Sequence, residues 1–261
     1  MVFPILGNIV APVTAGIIYF IMARYIKYIA PMRTLVVGEQ TYRGAFWGFL
    51  VFGIFLFTRP LQILLGPHPL PLIVNNIREF LMIGVFAPAA SVGALTFAFG
   101  EEKIRPWLVK TIIGFGLFTA ISFIIINVWA IGGSYEIFSI GKYKLYDGLW
   151  FHPENEYAYL MPHLFLLRFL DPVVMMVVVG ILSFYRAKTY PRESIYTNLP
   201  RKYFLQGCAM VTFGLSMLFC GFMFLLWKIP NQWWIYYLGA IMAGVFELIG
   251  LRYPLRKEKV L

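Results

Sequence analysis

Apolar residues run along this chain in seven long stretches separated by short polar connections, and each stretch is long enough to cross a bilayer. A spanning helix needs about 20 predominantly apolar residues. Runs of that kind fall at about 4–24, 44–66, 79–100, 107–132, 162–185, 203–227 and 232–252. The pattern predicts an all-α integral membrane protein, a seven-transmembrane helix bundle in which residues 1–261 form a single polytopic domain. The longest connection, 133–161, reads GGSYEIFSIGKYKLYDGLWFHPENEYAYL. Its alternation YEIFSIGKYKLY fits a small hairpin turning at Gly141, and an aromatic segment lying at the interface fits nearly as well.

Basic residues give the bundle a direction, because Lys and Arg near helix ends are retained on the cytoplasmic side. The first connection carries Arg24, Lys27, Arg33 and Arg43, and the third Lys103, Arg105 and Lys110. The fifth carries Arg186, Lys188, Arg192, Arg201 and Lys202, and the tail Arg252, Arg256, Lys257 and Lys259. Sixteen of the 22 basic residues thus fall on one side. The expected topology has the N-terminus and the 133–161 loop outside and the C-terminus in the cytoplasm. Residues Arg186, Lys188, Arg192, Arg201 and Lys202 then form a contact for anionic headgroups or a cytoplasmic partner.

Composition sharpens the class. The chain is 60% hydrophobic and 13% charged, with a mean hydropathy of +0.75, which excludes a soluble core protein. The formal net charge of +10 would suggest nucleic acid in a soluble chain; here it is the topogenic signal, and no nucleic-acid partner is expected. The first apolar run lacks a preceding basic segment, so it is expected to remain as an uncleaved helix. Integral insertion in a membrane, the cytoplasmic (plasma) membrane by expectation, follows. Cys208 and Cys220 lie twelve residues apart in the sixth run, roughly 18 Å along a helix, too far to bridge one another. The nine residues after Arg252 are too few to fold, so an effector activity is expected to belong to another chain.

Candidate chemistry lies in the polar residues inside the apolar runs, since a charge in hydrocarbon is costly unless paired or hydrated. By helical rise, Arg59 falls roughly 10 Å below the outer end of its run, and Arg168 and Asp171 about 9 and 13 Å below the outer end of theirs. Gln62, Asn127, His163 and Asn8 fall near the same level or above it, and Glu79 opens the third run. Arg168 and Asp171 share a helix face and can pair. Two readings fit this layer. In one, Arg59, Glu79, Arg168 and Asp171 brace the helices. In the other, Arg59, Gln62, Asn127, His163, Arg168 and Asp171 line an outer pocket whose guanidinium forks hold an acidic or polar ligand. Glu247, near the inner end of the seventh run, is expected to pair with a surface arginine.

Pro60, Pro88 and Pro172 lie within runs, and each removes a backbone hydrogen bond. Small residues at four-residue spacing, Ala90, Ala94 and Ala98, and Gly239 with Ala243, predict close helix contacts.

Several chemistries are set aside. The three histidines do not form a haem-ligating pattern, no HExxH or GxSxG sequence occurs, and no zinc set is present. The last run holds no lysine for a retinal Schiff base, so likeness to rhodopsins is one of topology alone. No catalytic motif, metal or cofactor is expected, although the 25 phenylalanines would also suit contact with a quinone, a carotenoid or a lipid. The leading expectation is a non-enzymatic sensor or signalling protein that works through membrane lipids and another membrane or cytoplasmic protein. An accessory or anchoring subunit of a larger respiratory or transport complex comes second, and a small-solute transporter third.

Overall fold

The computed structural model has seven helices long and apolar enough to cross a membrane, at Leu6–Tyr28, Thr41–Leu64, Leu70–Phe99, Pro106–Ile126, Pro172–Thr189, Leu199–Met223 and Trp234–Arg252. It describes residues 5–37, 39–66, 69–128, 133–140, 142–149, 163, 166–190, 198–227 and 233–252. Side chains are described for all of these but 29–37, 39–40, 133–135, 137–138, 140, 143, 147–149, 169–171, 224–227 and 233. The seven spans are named first to seventh in chain order. The end of the bundle where the first span begins is the N-face, and the end where the seventh finishes is the C-face.

The third span starts at Leu70, nine residues before the apolar run predicts. Its added segment, LPLIVNNIRE, is amphipathic in the inverted sense proper to a membrane. Leu70, Ile73 and Ile77 are exposed, whereas Asn75, Asn76, Arg78 and Glu79 are buried. Spacings of three and four place the apolar side chains on one face and turn the polar ones inward.

Each of the three prolines sits where the regular helix has already given way. The second span breaks at Thr58 and restarts at Arg59 with Pro60 in its first turn. Pro88 and Pro172 follow π-helical segments at Phe80–Phe86 and Leu166–Leu170. A proline ring collides with the carbonyl four residues back, and a widened or interrupted turn removes that carbonyl from the collision. Close packing rests on small residues, as predicted. Ala94, Ala98 and Ala243 are buried, and a Cβ on Gly239 would collide with the Ser216 side chain of the sixth span.

At mid-depth the bundle is closed by aromatic rings. Phe52 stacks on Phe86 with centroids 4.0 Å apart and meets Phe213 edge-on at 5.0 Å. Tyr236 lies 5.2 Å from Phe213 and 6.2 Å from Phe55. Tyr19 closes the group, edge-on to Phe52 at 4.6 Å. The tilted and edge-on pairs are the favoured geometries for π systems. Rings from five residues on the second, third, sixth and seventh spans, with Tyr19 of the first, form a septum between the N-face and C-face halves.

The long connection forms the predicted hairpin. Strand β1, Gly133–Ile140, pairs antiparallel with β2, Tyr143–Leu149, with a register shift between Glu136 and Phe138. Ile140 faces Tyr143 across the turn; Gly141 itself lies outside the described residues. On the hairpin Lys144 pairs with Glu136 at 3.2 Å, which raises the Lys144 pKa above its usual value by hydrogen bonding. Strand β2 packs against Arg59–Leu64 and Leu70–Glu79, so the hairpin covers the N-face end of the second and third spans. Its Leu145 is buried there.

Candidate functional site

The N-face half holds a dense polar layer, and the segment Asn75–Glu79 is its hub. Four of these five residues reach three other spans. Asn75 accepts from Gln62 Nε2 at 3.3 Å, and Arg78 donates through Nε to the Phe55 carbonyl at 3.0 Å and through Nη1 to Gln62 Oε1. Asn76 accepts from Asn127 Nδ2 of the fourth span at 2.5 Å. Glu79 forms an ion pair with Arg168 just before the fifth span. Beside the hub, Arg59 donates through Nε and Nη2 to Asn8 Oδ1 of the first span, at 3.3 and 2.7 Å. The amphipathic turn of the third span places all four polar residues on its inner side, so five spans meet through side-chain polar contacts.

Backbone irregularity and polar chemistry coincide. Asn8 lies in a π-helical segment at Leu6–Val10, Asn127 in a wide turn at 127–128, and Arg168 in the segment Leu166–Leu170. Glu79 immediately precedes the π segment Phe80–Phe86, and Arg59 follows the break at Thr58. Wide turns of this kind occur mainly as single-turn insertions and are frequent at functional sites. Here they aim amide and guanidinium groups toward one level of the bundle.

The sequence reading holds in part. Arg59, Gln62, Asn127 and Arg168 are brought together and buried. His163 is exposed, and no described contact joins it to the layer. The side chain of Asp171 lies outside the described residues; among the described side chains Glu79 forms an ion pair with Arg168. Asn75, Asn76 and Arg78 were not anticipated, because they precede the apolar run; their inverted amphipathic spacing is the signal that identifies them.

Guanidinium groups outnumber carboxylates among the described side chains of the layer. Arg59, Arg78 and Arg168 bring three positive charges, each side chain at most 4% exposed. Glu79 brings one negative charge, and Asp171, counted from the sequence, one more. Two buried donor atoms, Arg78 Nη2 and Asn75 Nδ2, and the acceptor Asn127 Oδ1 make no hydrogen bond among the described residues. Buried polar atoms are nearly always satisfied, so these three are candidate contacts for a water or a small polar group. Among the described residues no group of three His, Cys, Asp or Glu is placed to hold a metal ion.

The proposed C-face contact is mixed in character. Lys188 and Arg201 are exposed, and Arg186 is half-buried with its guanidinium 5.4 Å from the Tyr190 ring. Arg192 lies outside the described residues. Lys202 is corrected: it is buried, and its Nζ donates to the Gly250 carbonyl at 2.7 Å. Its sequence position, three residues into a helix that packs on the seventh span, turns it inward. Glu247 is likewise corrected: among the described residues the cation acting on it is Lys202, not an arginine at the surface. Cys208 and Cys220 form no disulfide among the described residues.

The chain matches no protein-family description, no curated protein and no solved structure.

Proposed function

We propose that this chain is a non-enzymatic seven-helix membrane sensor whose N-face polar layer takes a small anion and reports to a separate partner at the C-face. The observation that carries the reading is the pair of buried donors Arg78 Nη2 and Asn75 Nδ2 that make no hydrogen bond among the described residues, in a layer that holds three buried guanidiniums. A buried guanidinium with an open donor is unfavourable unless an acceptor enters. Guanidinium forks favour planar carboxylates and phosphates. The hairpin over the second and third spans covers the layer from the N-face. The septum transmits a change there, since Phe55 contacts Arg78 and Tyr236 contacts both Phe55 and Phe213.

The test is anion-dependent thermal unfolding of the purified chain in detergent at constant ionic strength, with acetate, phosphate or chloride replacing gluconate. A saturable stabilisation by one anion, lost in Arg78→Met, supports the reading. Identical unfolding in every salt overturns it.

A second reading, an anchoring subunit of a larger assembly, draws on the fourth span. It is the least buried of the seven and exposes Trp107, Phe115 and Phe118 along its length. Such a face suits either lipid or a neighbouring subunit. Stoichiometric co-purification from native membrane, unaffected by anions, would favour this reading over the sensor.

A further inference from the structure

On the C-face side of the aromatic septum the bundle holds a partly open cavity of about 120 Å³. It exists because small residues face one another there. Ala45 and Gly48 of the second span pack directly on Gly93 and Ala90 of the third, and together with Ala94 they line one wall of the cavity. Backbones approach closely, with a Cβ on Gly44 meeting Gly93 Cα at 3.4 Å, yet no large side chain from these positions fills the middle. The septal end is walled by Phe49, Phe86 and Phe213. The opposite end carries Lys202 and Glu247.

Most polar groups around the cavity are already engaged within the protein. The Tyr19 hydroxyl donates to the Ala240 carbonyl at 3.3 Å, and that of Thr41 to Thr96 Oγ1 at 2.9 Å. Gln206 Oε1 accepts from Ser183 at 3.3 Å. Glu247 differs. Its carboxylate lines the cavity and accepts no hydrogen bond among the described residues, while Lys202 supplies a balancing charge.

We infer that this cavity binds a neutral, single-ring amphiphile that lays its ring against Phe49, Phe86 and Phe213 and donates a hydroxyl hydrogen bond to Glu247. The size allows no more than one ring: a closed apolar cavity of roughly 150 Å³ accepts a benzene, and this one, about 120 Å³, is partly open. The flat aromatic walls favour a planar guest through offset and edge-on contacts. The charge sets neutrality, because Lys202 and Glu247 offset one another and a charged guest would be buried without a partner. The open carboxylate selects a donor over an acceptor. This site is separated from the anion layer by the septum, and the inference does not depend on the anion reading.

The probe is 4-fluorophenol, followed by fluorine NMR with the purified full chain in detergent and compared with fluorobenzene, 4-fluorobenzoate and decanoate. The site requires saturable binding of 4-fluorophenol, roughly tenfold tighter than fluorobenzene, the worth of one hydrogen bond. Ala209→Leu and Ala94→Leu, which place a larger side chain in the cavity, each abolish it. The paired change Lys202→Met with Glu247→Leu keeps fluorobenzene binding but removes the preference for the phenol, which also shows that this variant is folded. Tighter binding of 4-fluorobenzoate would overturn neutrality, and displacement by decanoate at lower concentration would make the cavity an acyl-chain crevice instead. Phenol binding that survives both leucine variants would place the guest elsewhere and overturn the site.

Discussion

Arg78 holds Phe55 by two different atoms of the same residue: its Nε donates to the Phe55 carbonyl at 3.0 Å, and its guanidinium carbon lies 4.6 Å from the Phe55 ring centroid. Its Nη1 also donates to Gln62. One side chain of the third span therefore fixes two turns of the second. Replacing it by methionine leaves the Phe55 carbonyl and Gln62 Oε1 without their donor and removes the cation–π contact, a loss on the order of 3 kcal/mol. Lysine keeps the charge but cannot span both acceptors. Thermal unfolding in detergent is expected to rank the variants Arg above Lys above Met, and a lysine variant equal to the parent would show that the fork geometry is unimportant.

The polar layer was only half legible in the sequence, for a definite reason. Hydropathy finds a span by its mean, and the mean of LPLIVNNIRE is low because four polar residues face inward. Arg78 therefore reads as a loop residue although it is buried. Periodicity recovers it, since Leu70, Ile73 and Ile77 repeat at three and four residues. Arg59, Gln62, Asn127 and Arg168 were legible because each lies within a clear apolar run, where a polar residue stands out. Their partners were less so. Arg168 pairs with Glu79 of another span, a contact that spacing along one run does not contain; the Asp171 side chain, expected to pair with Arg168, lies outside the described residues. The cavity at the C-face was not legible at all. It depends on which small residues oppose one another across two spans, and spacing within one span does not contain that.

Gly239 tests how tightly the sixth and seventh spans pack. A Cβ there would collide with Ser216, whereas a Cβ on Gly114 would meet nothing within 4 Å. Gly239→Ala is expected to destabilise by about 1–3 kcal/mol through overpacking, and Ser216→Gly in the same chain to recover part of the loss. Gly114→Ala serves as the control and should leave unfolding unchanged or slightly raise its midpoint, alanine being the better helix former. Equal effects of the two alanine changes would contradict the packing.

We propose the orientation of the bundle from charge, and it is directly measurable. Sixteen of the 22 basic residues lie on the C-face side of the sequence pattern, and the expectation is that this side faces the cytoplasm. A reporter active only in the cytoplasm should work when fused after Leu261 and fail when inserted between β1 and β2. The reverse result would put the anion layer in the inner leaflet and exchange the two half-bundles.

The Glu79–Arg168 ion pair separates a brace from a binding site. Both side chains are buried, Arg168 at 4% and Glu79 at 7% exposure, so removing either partner leaves a charge in a medium that solvates it poorly. Each single change, Arg168→Met or Glu79→Leu, is expected to cost about 3–5 kcal/mol, and the pair together much less than the sum, because the double variant buries neither charge. Stability therefore reports the brace, and anion response reports the site. In the double variant Arg59 and Arg78 remain buried in the layer. If the layer holds its anion chiefly through Arg59 and Arg78, the double variant unfolds near the parent midpoint and keeps the anion-dependent shift. If Arg168 is itself a ligand for the anion, the midpoint recovers but the shift falls by roughly tenfold in apparent affinity, one charge-assisted hydrogen bond. A double variant as unstable as the sum of its singles would mean that the two residues do not act as a pair, and the hub would then rest on Gln62, Asn76 and Asn127 instead.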